Sequence, residues 1–406
     1  MHSGSRYIIA TGVSFFCIAL LYFLSLILHL PFLITVAAAA MGVFFIFKWI
    51  LTQLGPADTG VSSWWSFLVL VVGVYFIVTG FSDVAEQYGG WDAWGIWNFH
   101  AKYLADPVNW RKMFENSSFA HPDYPLLVPA VTGFFIRLAH KDYLESIPFV
   151  FHFCITLFIP VLIYLENLKK NPVVAAVVFF LFAFDTFYLT KGATQYADTP
   201  LAFFFLCAFV TINYAKVHRG YVALCAICLA GCAWTKNEGS ILALVFILFY
   251  ARTFFSRRNI GAFVAGMAIP LILMVIFKMF YATGGSVTGN FDRRALSQLF
   301  VKDRYDLIWN YFKGNVAHKY YYVQICLFIY VLLCVLEKRW PGRQFFLLLC
   351  CVGVYTMVYV LTPGGIEWLL DTSQERLMHQ LMPALMYVFS QRFVRIHFSL
   401  PKEQLS

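Results

Sequence analysis

The feature that most constrains this chain is a series of apolar segments, each long enough to cross a lipid bilayer. A helix needs about 20 mostly apolar residues to do so. We predict twelve such helices, at 7–28, 32–50, 63–81, 146–164, 172–190, 198–215, 220–235, 240–255, 260–280, 319–336, 343–361 and 377–394. Only 13% of the 406 residues are charged, against about 25% in an average soluble domain. The sequence therefore predicts an all-α, polytopic membrane protein.

The predicted helices form a single transmembrane domain over residues 1–406, with two long polar connections at 82–145 and 282–318. Residues 1–62 hold an N-terminal helical hairpin and a linker, and residues 63–394 form the core. We expect no soluble domain after the last helix. The first apolar segment runs past Leu28 without a cleavage site of small residues, so we expect it to stay in the membrane instead of being removed as a signal peptide.

The segment 122–140 is the main ambiguity in this topology. It is apolar but short, and it contains three prolines and Arg137. We predict that it forms an interfacial helix on the outer surface of the membrane. If it crossed the membrane instead, every later loop would change sides.

The basic residues indicate the orientation of the chain. With the N-terminus in the cytoplasm, the cytoplasmic segments hold 15 basic and four acidic residues, while the rest of the chain holds 15 basic and 17 acidic residues. The positive-inside rule favours this arrangement, which places both termini in the cytoplasm and both long connections outside. Topology thus accounts for the formal charge of +9, so we expect membrane lipids as partners and no nucleic acid.

The first outer connection carries carboxylates just beyond a predicted helix. Three of them fall within ten residues: Asp83, Glu86 and Asp92. Gly89 and Gly90 allow a sharp turn before Asp92, and three tryptophans at three-residue spacing favour an interfacial helix. A solvated loop anchored by tryptophans explains Asp83 and Glu86 equally well, whereas the aromatic surroundings of Asp92 favour a functional carboxyl group.

Basic residues near the outer ends of predicted helices are candidates for binding an anion in a site of low dielectric constant. They are Lys191, Lys236 and Arg376, with Lys102 and Arg293 as further candidates. Lys236 lies beside Glu238 in a break between two apolar segments, where charged groups are costly unless they have a purpose. The alternatives are that Lys191 is an ordinary interface lysine and that Lys236 and Glu238 simply neutralise each other.

Four motifs occur in the same order as in a known family. They are Trp91-Asp92-Ala93-Trp94-Gly95-Ile96-Trp97 with His121-Pro122-Asp123-Tyr124-Pro125-Leu126-Leu127, then Tyr196-Ala197-Asp198-Thr199-Pro200-Leu201, Trp234-Thr235-Lys236-Asn237-Glu238-Gly239, and Thr372 to Pro383 with Arg376. In these motifs the chain resembles the C-type (GT-C) membrane-integral glycosyltransferase superfamily. That superfamily includes the lipid A aminoarabinose transferases, the protein O-mannosyltransferases and bacterial lipopolysaccharide sugar transferases. The chain departs from the family pattern at Asp123-Tyr124 and in the acidic pair of the first outer loop.

The resemblance implies a GT-C fold and a sugar transfer from a polyprenyl-phosphate donor, with undecaprenyl phosphate as the expected carrier. The acceptor would be a hydroxyl group of a cell-envelope glycan or glycolipid on the periplasmic face of a bacterial inner membrane. An acid of the first outer loop would be the general base, and we assign this role to Asp92 before Glu86 and Asp83. The basic candidates would bind the donor phosphate. Candidate substrate-binding residues are His121, Asp123, Tyr124, Asp198, Glu238 and His379.

No obligatory cofactor is expected. The ten cysteines show neither metal-ligand spacing nor a disulfide framework. The carboxylates of the outer loop together with Asp198 offer hard oxygen ligands for a divalent cation, but no spacing in the sequence demands one.

Two other functions fit the sequence. A transporter or flippase of polyprenyl-linked sugars suits the number of helices and the break at Lys236, although no matched second break indicates an internal repeat. An O-antigen ligase or polymerase would use a lipid diphosphate donor and would depend on basic outer loops instead of an acidic base. Neutralising Asp92 distinguishes the glycosyltransferase from the ligase, because we expect a severe loss of activity in the transferase and a mild one in the ligase.

Overall fold

The computed structural model describes residues 1–55, 63–115, 121–140, 144–282 and 293–395. The structure is 80% helix, and its described residues form no β-strand, which confirms the predicted all-α class. The α-helices are α1 (Ser3–Ile27), α2 (Phe32–Lys48), α3 (Trp64–Val84), α4 (Asn98–Ala105), α5 (Lys112–Glu115), α6 (Leu127–Leu138), α7 (Ser146–Leu168), α8 (Pro172–Ala183), α9 (Thr186–Ala193), α10 (Asp198–Ile212), α11 (Gly220–Thr235), α12 (Asn237–Phe249), α13 (Ala251–Phe254), α14 (Ile260–Phe280), α15 (Arg293–Ser297), α16 (Lys302–Tyr311), α17 (Tyr321–Leu336), α18 (Arg343–Leu361) and α19 (Glu367–Phe393).

Six helices of the described chain are long and apolar enough to cross a membrane: α1, α2 with its π-helical extension to Gln53, α3, α7, α14 and α18. The number rises to eight if two bent pairs each count as one crossing. One pair is α8 with α9, bent by 59°, and the other is Lys302–Ala317 with α17, bent by 101°. The membrane-protein class is thus supported by six to eight helices, and the predicted number of twelve is not confirmed.

The remaining predicted spans differ from the expectation for identifiable reasons. Helices α10, α11 and α12 have 15, 16 and 13 residues, and at about 1.5 Å per residue they fall short of a 30 Å hydrocarbon core. Helix α19 has 27 residues, but the predicted span 377–394 within it holds polar residues such as Gln380, Gln391 and Arg392, and α19 is not among the helices apolar enough to cross. The predicted bounds 220–235 are those of α11, which falls short only in length.

The segment 122–140, predicted to lie on the membrane surface, contains the twelve-residue helix α6. Helix α6 is too short to cross a bilayer, as expected, but most of its residues are buried because it packs between α1 and α4. The Tyr22 hydroxyl donates a hydrogen bond of 2.6 Å to the carbonyl of Leu104 beside it. The segment is therefore enclosed by protein, and its place at the outer surface of the membrane stays a prediction.

Helix α10 forms the centre of the bundle, and all of its 15 residues are buried. It packs against α7, α11 and α19, which shield its short apolar length. Since α11 runs back along α10, the end of α11 lies beside the start of α10. We call this end of the bundle, where α10 and α12 begin, the site end; the start of α1 and the ends of α7, α10 and α19 lie at the opposite end.

The break between α11 and α12 falls at Lys236, whose backbone is extended (φ −159°, ψ 155°). The turn is tight because a Cβ atom on Gly239 would lie 1.9 Å from the carbonyl oxygen of Cys232. Glycine is therefore required for α12 to begin against the last turn of α11. This close approach aims Lys236 back toward the start of α10.

Candidate functional site

Asp198 is the centre of a charged cluster at the site end. Its Oδ2 atom accepts a hydrogen bond of 3.0 Å from Arg376 Nε, and its Oδ1 atom accepts one of 3.0 Å from Lys236 Nζ. Gln380 Nε2 donates to the same Oδ1 atom. The Asp198 side chain is 4% exposed, so one buried carboxylate holds two cations.

Two further carboxylates extend this cluster at either end. Arg376 Nη1 lies 2.7 Å from Asp92 Oδ2, and Lys236 Nζ lies 3.3 Å from Glu238 Oε1. We call the series Asp92, Arg376, Asp198, Lys236, Glu238 the charge chain. Its end side chains are 22% and 29% exposed, whereas its middle members are 14%, 4% and 6% exposed. The chain thus has three carboxylates for two cations and is open at both ends.

Local structure explains why these residues meet. Asp198 is the first residue of α10, and Arg376 and Gln380 are four residues apart in α19, which places them on one helix face. The Arg376 guanidinium also lies over the ring of Tyr196, with its Cζ atom 4.5 Å from the ring centroid. Arg376 is therefore fixed through Nε and through its flat face, while its Nη groups point to Asp92.

A second charged group adjoins the charge chain in sequence and space. The carboxylate of Glu375 accepts hydrogen bonds from Lys191 and from Lys319, and the ring of Phe187 lies within 5.0 Å and 5.1 Å of the two ammonium groups. Burial by itself would raise the pKa of Glu375, but the hydrogen bonds from the two lysines outweigh burial and lower it. We call Lys191 and Lys319 the lysine pair.

A third polar group lies at the start of α12. Asn237 Nδ2 donates a hydrogen bond of 2.8 Å to Asp123 Oδ2, and Lys278 Nζ donates to Asn237 Oδ1 (2.8 Å) and to the carbonyl of Asp123 (2.6 Å). The segment around Asp123 is thereby tied to the break that carries Lys236.

An aromatic stack borders this third group. The Tyr124 ring stacks on Trp97 with centroids 5.4 Å apart and on His121 with centroids 4.4 Å apart. Burial raises the pKa of Tyr124 well above its ordinary value, so its hydroxyl stays protonated at neutral pH. Stacked rings of this kind offer an apolar face beside the charges.

A groove of about 1120 Å³ leads from the side of the bundle to Lys319, one member of the lysine pair. It runs between α3 and α8 from Ser63 and Pro172 to Lys319, and its wall is mostly aromatic and aliphatic, with Phe76 and Phe180 among its lining residues. Asp185 lies at the same end as Lys319 and accepts a hydrogen bond of 2.6 Å from the Tyr322 hydroxyl. The groove therefore has an apolar length and a charged end.

The structure brings together five of the predicted site residues in the charge chain: Asp92, Asp198, Lys236, Glu238 and Arg376. Lys191 belongs to the lysine pair. His121, Asp123 and Tyr124 form the adjoining polar and aromatic groups.

Other predicted residues lie apart from the charge chain. Asp83 and Glu86 are exposed and form no ion pair with another described residue. Lys102 lines a separate cavity of about 650 Å³ with Tyr103 and Lys112. The side chain of Arg293 lies outside the described part of the chain.

His379, predicted to bind substrate, is fully buried behind the charge chain. Its Nε2 atom lies 3.0 Å from Thr199 Oγ1, and its Nδ1 atom lies 3.4 Å from the Tyr320 hydroxyl. With no exposed surface, its imidazole faces packed protein. Its place indicates a supporting role instead of the predicted contact with substrate.

Sequence reasoning missed several residues of the site. Gln380 could have been found, because it lies one helical turn after Arg376. Lys319 and Lys278 lie at the ends of predicted spans, which is the signal that selected the other lysines. Asn237 lies in the motif from Trp234 to Gly239 but carries no charge, so nothing in the sequence distinguished it.

Metal binding was left open by the sequence. In the described part of the chain, no group of three or more His, Cys, Asp or Glu side chains is arranged to hold a metal ion. The carboxylates of the charge chain alternate with Arg376 and Lys236, so cations of the protein already occupy the positions between them.

No protein-family model matches the chain, and no curated protein and no solved structure matches it either. The fold and the site therefore define its class by themselves. The class is an all-helical protein with six to eight helices able to cross a membrane and with buried charges linked together at one end of the bundle.

Proposed function

We propose that this chain is a membrane-integral glycosyltransferase. It moves a sugar from a polyprenyl-phosphate donor to a hydroxyl group of a cell-envelope glycan or glycolipid. The observation that carries the proposal is the charge chain, because it pairs a partly exposed carboxylate, Asp92, with a cation that a buried carboxylate holds in place. A glycosyl transfer with a phosphate leaving group needs a base and a fixed cation close together.

The reaction is a displacement at the anomeric carbon of the donor sugar. The acceptor oxygen forms a bond to that carbon, the bond from the carbon to the phosphate oxygen breaks, and its electron pair leaves with the polyprenyl phosphate. The proton of the acceptor hydroxyl passes to the Asp92 carboxylate. In this proposal, Lys236 and Glu238 at the other end of the charge chain hold hydroxyl groups of the sugars.

Arg376 links donor binding to the base in this mechanism. Its Nε atom is held by Asp198 at 3.0 Å, while its Nη1 atom contacts Asp92 at 2.7 Å. A donor phosphate that contacts Nη1 takes the position of Asp92 Oδ2. The carboxylate of Asp92 is then released to accept the proton only when a donor is in place.

The groove between α3 and α8 suits the donor lipid. A polyprenyl chain is apolar along its whole length, as are most side chains that line the groove. The lysine pair, at the charged end of the groove, supplies positive charge for the phosphate. Both lysines bind Glu375, which precedes Arg376 in α19. Lys191, which the sequence predicted as a phosphate ligand, keeps that role in the proposal, and Lys319 is a second ligand of the phosphate.

The wider setting is part of the same proposal. The chain has the GT-C fold, lies in a bacterial inner membrane with both termini in the cytoplasm, and presents the site end to the periplasm. Besides the eight crossings formed by the six long helices and the two bent pairs, α19 and the short helices α10, α11 and α12 complete twelve, because a short or broken helix is tolerated at membrane depth where other helices enclose it. No obligatory metal takes part.

The test uses membranes that contain equal amounts of wild-type protein or Asp92→Asn. Transfer of radiolabelled sugar is measured from a pool of polyprenyl-phosphate sugars to crude envelope glycan. We expect Asp92→Asn to lower the rate by about 10²- to 10⁴-fold, the range that a general base contributes. The matched control is Asp106→Asn, since Asp106 caps its own turn through Val108 and Asn109 and lies outside the charge chain.

Two results would count against the assignment. Equal rates for wild type and Asp92→Asn, with a loss in Glu86→Gln or Asp83→Asn, would move the base to an exposed loop carboxylate. A lack of transfer by the wild type, with labelled lipid changing leaflet only when the protein is present, would replace the transferase with a flippase. The length of the groove along α3 and α8 is the observation that keeps the flippase as the second candidate.

A further inference from the structure

Gln195 has an unusual backbone for its position. It lies in the turn between α9 and α10 with φ of +58°, in the left-handed region that favours glycine. Four other non-glycine residues of the described chain share this conformation: His29, His121, His140 and Lys338. Those four are exposed, whereas Gln195 is fully buried. A buried non-glycine residue in this strained conformation indicates that its side chain makes contacts that the protein needs.

The side chain of Gln195 connects the turn to the first long connection. Its Nε2 group donates to the carbonyls of Glu86 (3.3 Å) and Gln87 (3.4 Å), and its Oε1 atom accepts a hydrogen bond of 2.9 Å from Asn98 Nδ2. Asn98 Nδ2 also donates to the carbonyl of Tyr88 at 3.4 Å. The two buried amides thus hold both ends of segment 86–98, and Asp92 lies between these ends.

The backbone of the same segment lies directly against the turn. Gly90 N donates a hydrogen bond of 3.0 Å to the carbonyl of Thr194. Gly89 has φ of +70°, and a Cβ atom there would lie 2.7 Å from the same carbonyl oxygen. Tyr196, which follows Gln195 in the turn, supports Arg376 with its ring. This short turn therefore contacts both partners of one ion pair: it contacts the segment that carries Asp92, and it contacts Arg376.

We propose that Gln195 is a positioning residue that, with Asn98, clamps segment 86–98 so that the Asp92 carboxylate meets Arg376 and the reacting acceptor. The inference rests on the proposed glycosyl transfer, but the clamp is a separate physical statement about segment 86–98. Gln195 does not touch the reacting atoms. It acts by fixing the distance between Asp92 and the start of α10.

The substitution Gln195→Gly separates the clamp from the backbone strain. Glycine adopts the left-handed conformation without penalty, so the turn keeps its shape while the three side-chain hydrogen bonds are lost. Gln195→Asn keeps the amide and also tolerates this conformation, but it is one methylene too short to reach the carbonyls. Lys338→Gly is the matched control, because it relieves the same conformation at an exposed turn far from the site.

The experiment uses the full chain in lipid nanodiscs and combines two measurements. The first is the rate of sugar transfer from the polyprenyl-phosphate sugar pool, as kcat and KM. We expect Gln195→Gly and Gln195→Asn to lower kcat by about 10²-fold, the effect of misplacing a reacting group by about 1 Å, with KM for the donor nearly unchanged. The Lys338→Gly protein should match the wild type in both constants.

The second measurement is amide hydrogen exchange, and it does not depend on any activity. We expect exchange in both variants to rise in residues 86–98 and to stay unchanged in α10 and α11. Wild-type kcat in both variants, or wild-type exchange in residues 86–98, would overturn the proposal. An equal fall in stability across the whole protein would also overturn it, since that result assigns Gln195 to general folding.

The two measurements also separate the proposals from each other. If the wild type transfers no sugar, the proposed function and the positioning role both fail. The exchange of residues 86–98 then still decides whether the clamp exists. If the wild type transfers sugar and the Gln195 variants keep its kcat, the positioning role alone fails.

Discussion

The two ends of the bundle bury charged side chains in different ways. At the opposite end, Arg6 is 1% exposed and donates to the carbonyls of Leu51 (3.4 Å) and Gly55 (2.8 Å) and to the Tyr221 hydroxyl (3.0 Å). Nearby, Glu166 is 4% exposed and accepts from the Tyr214 hydroxyl at 2.6 Å. We call the region around Arg6 and Glu166 the sealed end.

The two networks differ in their described partners. At the sealed end, Arg6 and Glu166 contact hydroxyl groups and backbone carbonyls of described residues, and these contacts tie α1 and α7 to the segments beside them. The charge chain ends at Asp92 and Glu238, whose side chains are 22% and 29% exposed. Burial of charge therefore fastens helices at one end and leaves reactive groups accessible at the other.

The largest expected effect comes from Asp198→Asn, at the centre of the charge chain. It removes the carboxylate that Arg376 and Lys236 share, and two buried cations are left facing a neutral amide. We expect unfolding to become easier by about 3–5 kcal/mol, the cost of breaking a buried ion pair, and transfer to be lost. Thermal unfolding of purified protein in detergent, followed by tryptophan fluorescence, measures the first effect.

Asp306→Asn is the control for this variant, because Asp306 is exposed and forms no ion pair with another described residue. Its unfolding temperature should equal that of the wild type. An Asp198→Asn protein as stable as this control would show that the charge chain is solvated and not buried. The contrast between the two ends would then fail.

The next effect is expected from Arg6→Met at the sealed end. The substitution keeps the apolar stem and removes the hydrogen bonds of a buried guanidinium, each worth about 1.5–3 kcal/mol, but it also removes the cost of burying the charge, which offsets most of that loss. We expect a loss of stability of about 2 kcal/mol with unchanged transfer per folded molecule. Unfolding and transfer are measured on one preparation, with the exposed Arg252→Met as control.

A fall in kcat of Arg6→Met, beyond the fraction that is unfolded, would contradict the comparison. It would mean that the sealed end communicates with the site through the helices that both ends share. The comparison predicts instead that stability and catalysis separate cleanly between the two ends.

The smallest effect is expected from Glu375→Gln, between the lysine pair. The folded pKa of Glu375 lies below its ordinary value of 4.5, so its contribution to stability is present above that pH and is lost as the pH falls through the folded pKa. Lys319 is 42% exposed, which limits the contribution to about 1 kcal/mol or less. Unfolding of wild type and variant should differ slightly at pH 7 and converge as the pH falls through the folded pKa of Glu375.

Asp371→Asn, an exposed change in the same helix, should show no such convergence. A Glu375→Gln protein that is more stable than the wild type at pH 7, with the two converging as the pH falls, would mean that the folded pKa of Glu375 is raised. The lysine pair would then be free to bind an anion without displacing the carboxylate.

The sequence alone was sufficient for the helical class and for the places where charge interrupts apolar runs. Six predicted spans are helices of spanning length, because such a run is a local property of about 20 residues. Lys236 and Glu238 were found for the same reason, since a charged pair between apolar segments is visible without knowledge of neighbours. Asp92, Asp198 and Arg376 were selected by their motifs, and the structure brings them together.

The tertiary structure decided how these residues are connected. Asp83, Glu86 and Asp92 were all candidates for the base in sequence, with Asp92 first, and packing of segment 86–98 on the turn before α10 brings Asp92 alone of the three to Arg376. The burial of α6 and His379, and the clamp of Gln195, likewise depend on contacts between segments far apart in the chain. A run of residues records its own hydrophobicity, whereas the partner of a buried charge is fixed only when the helices pack.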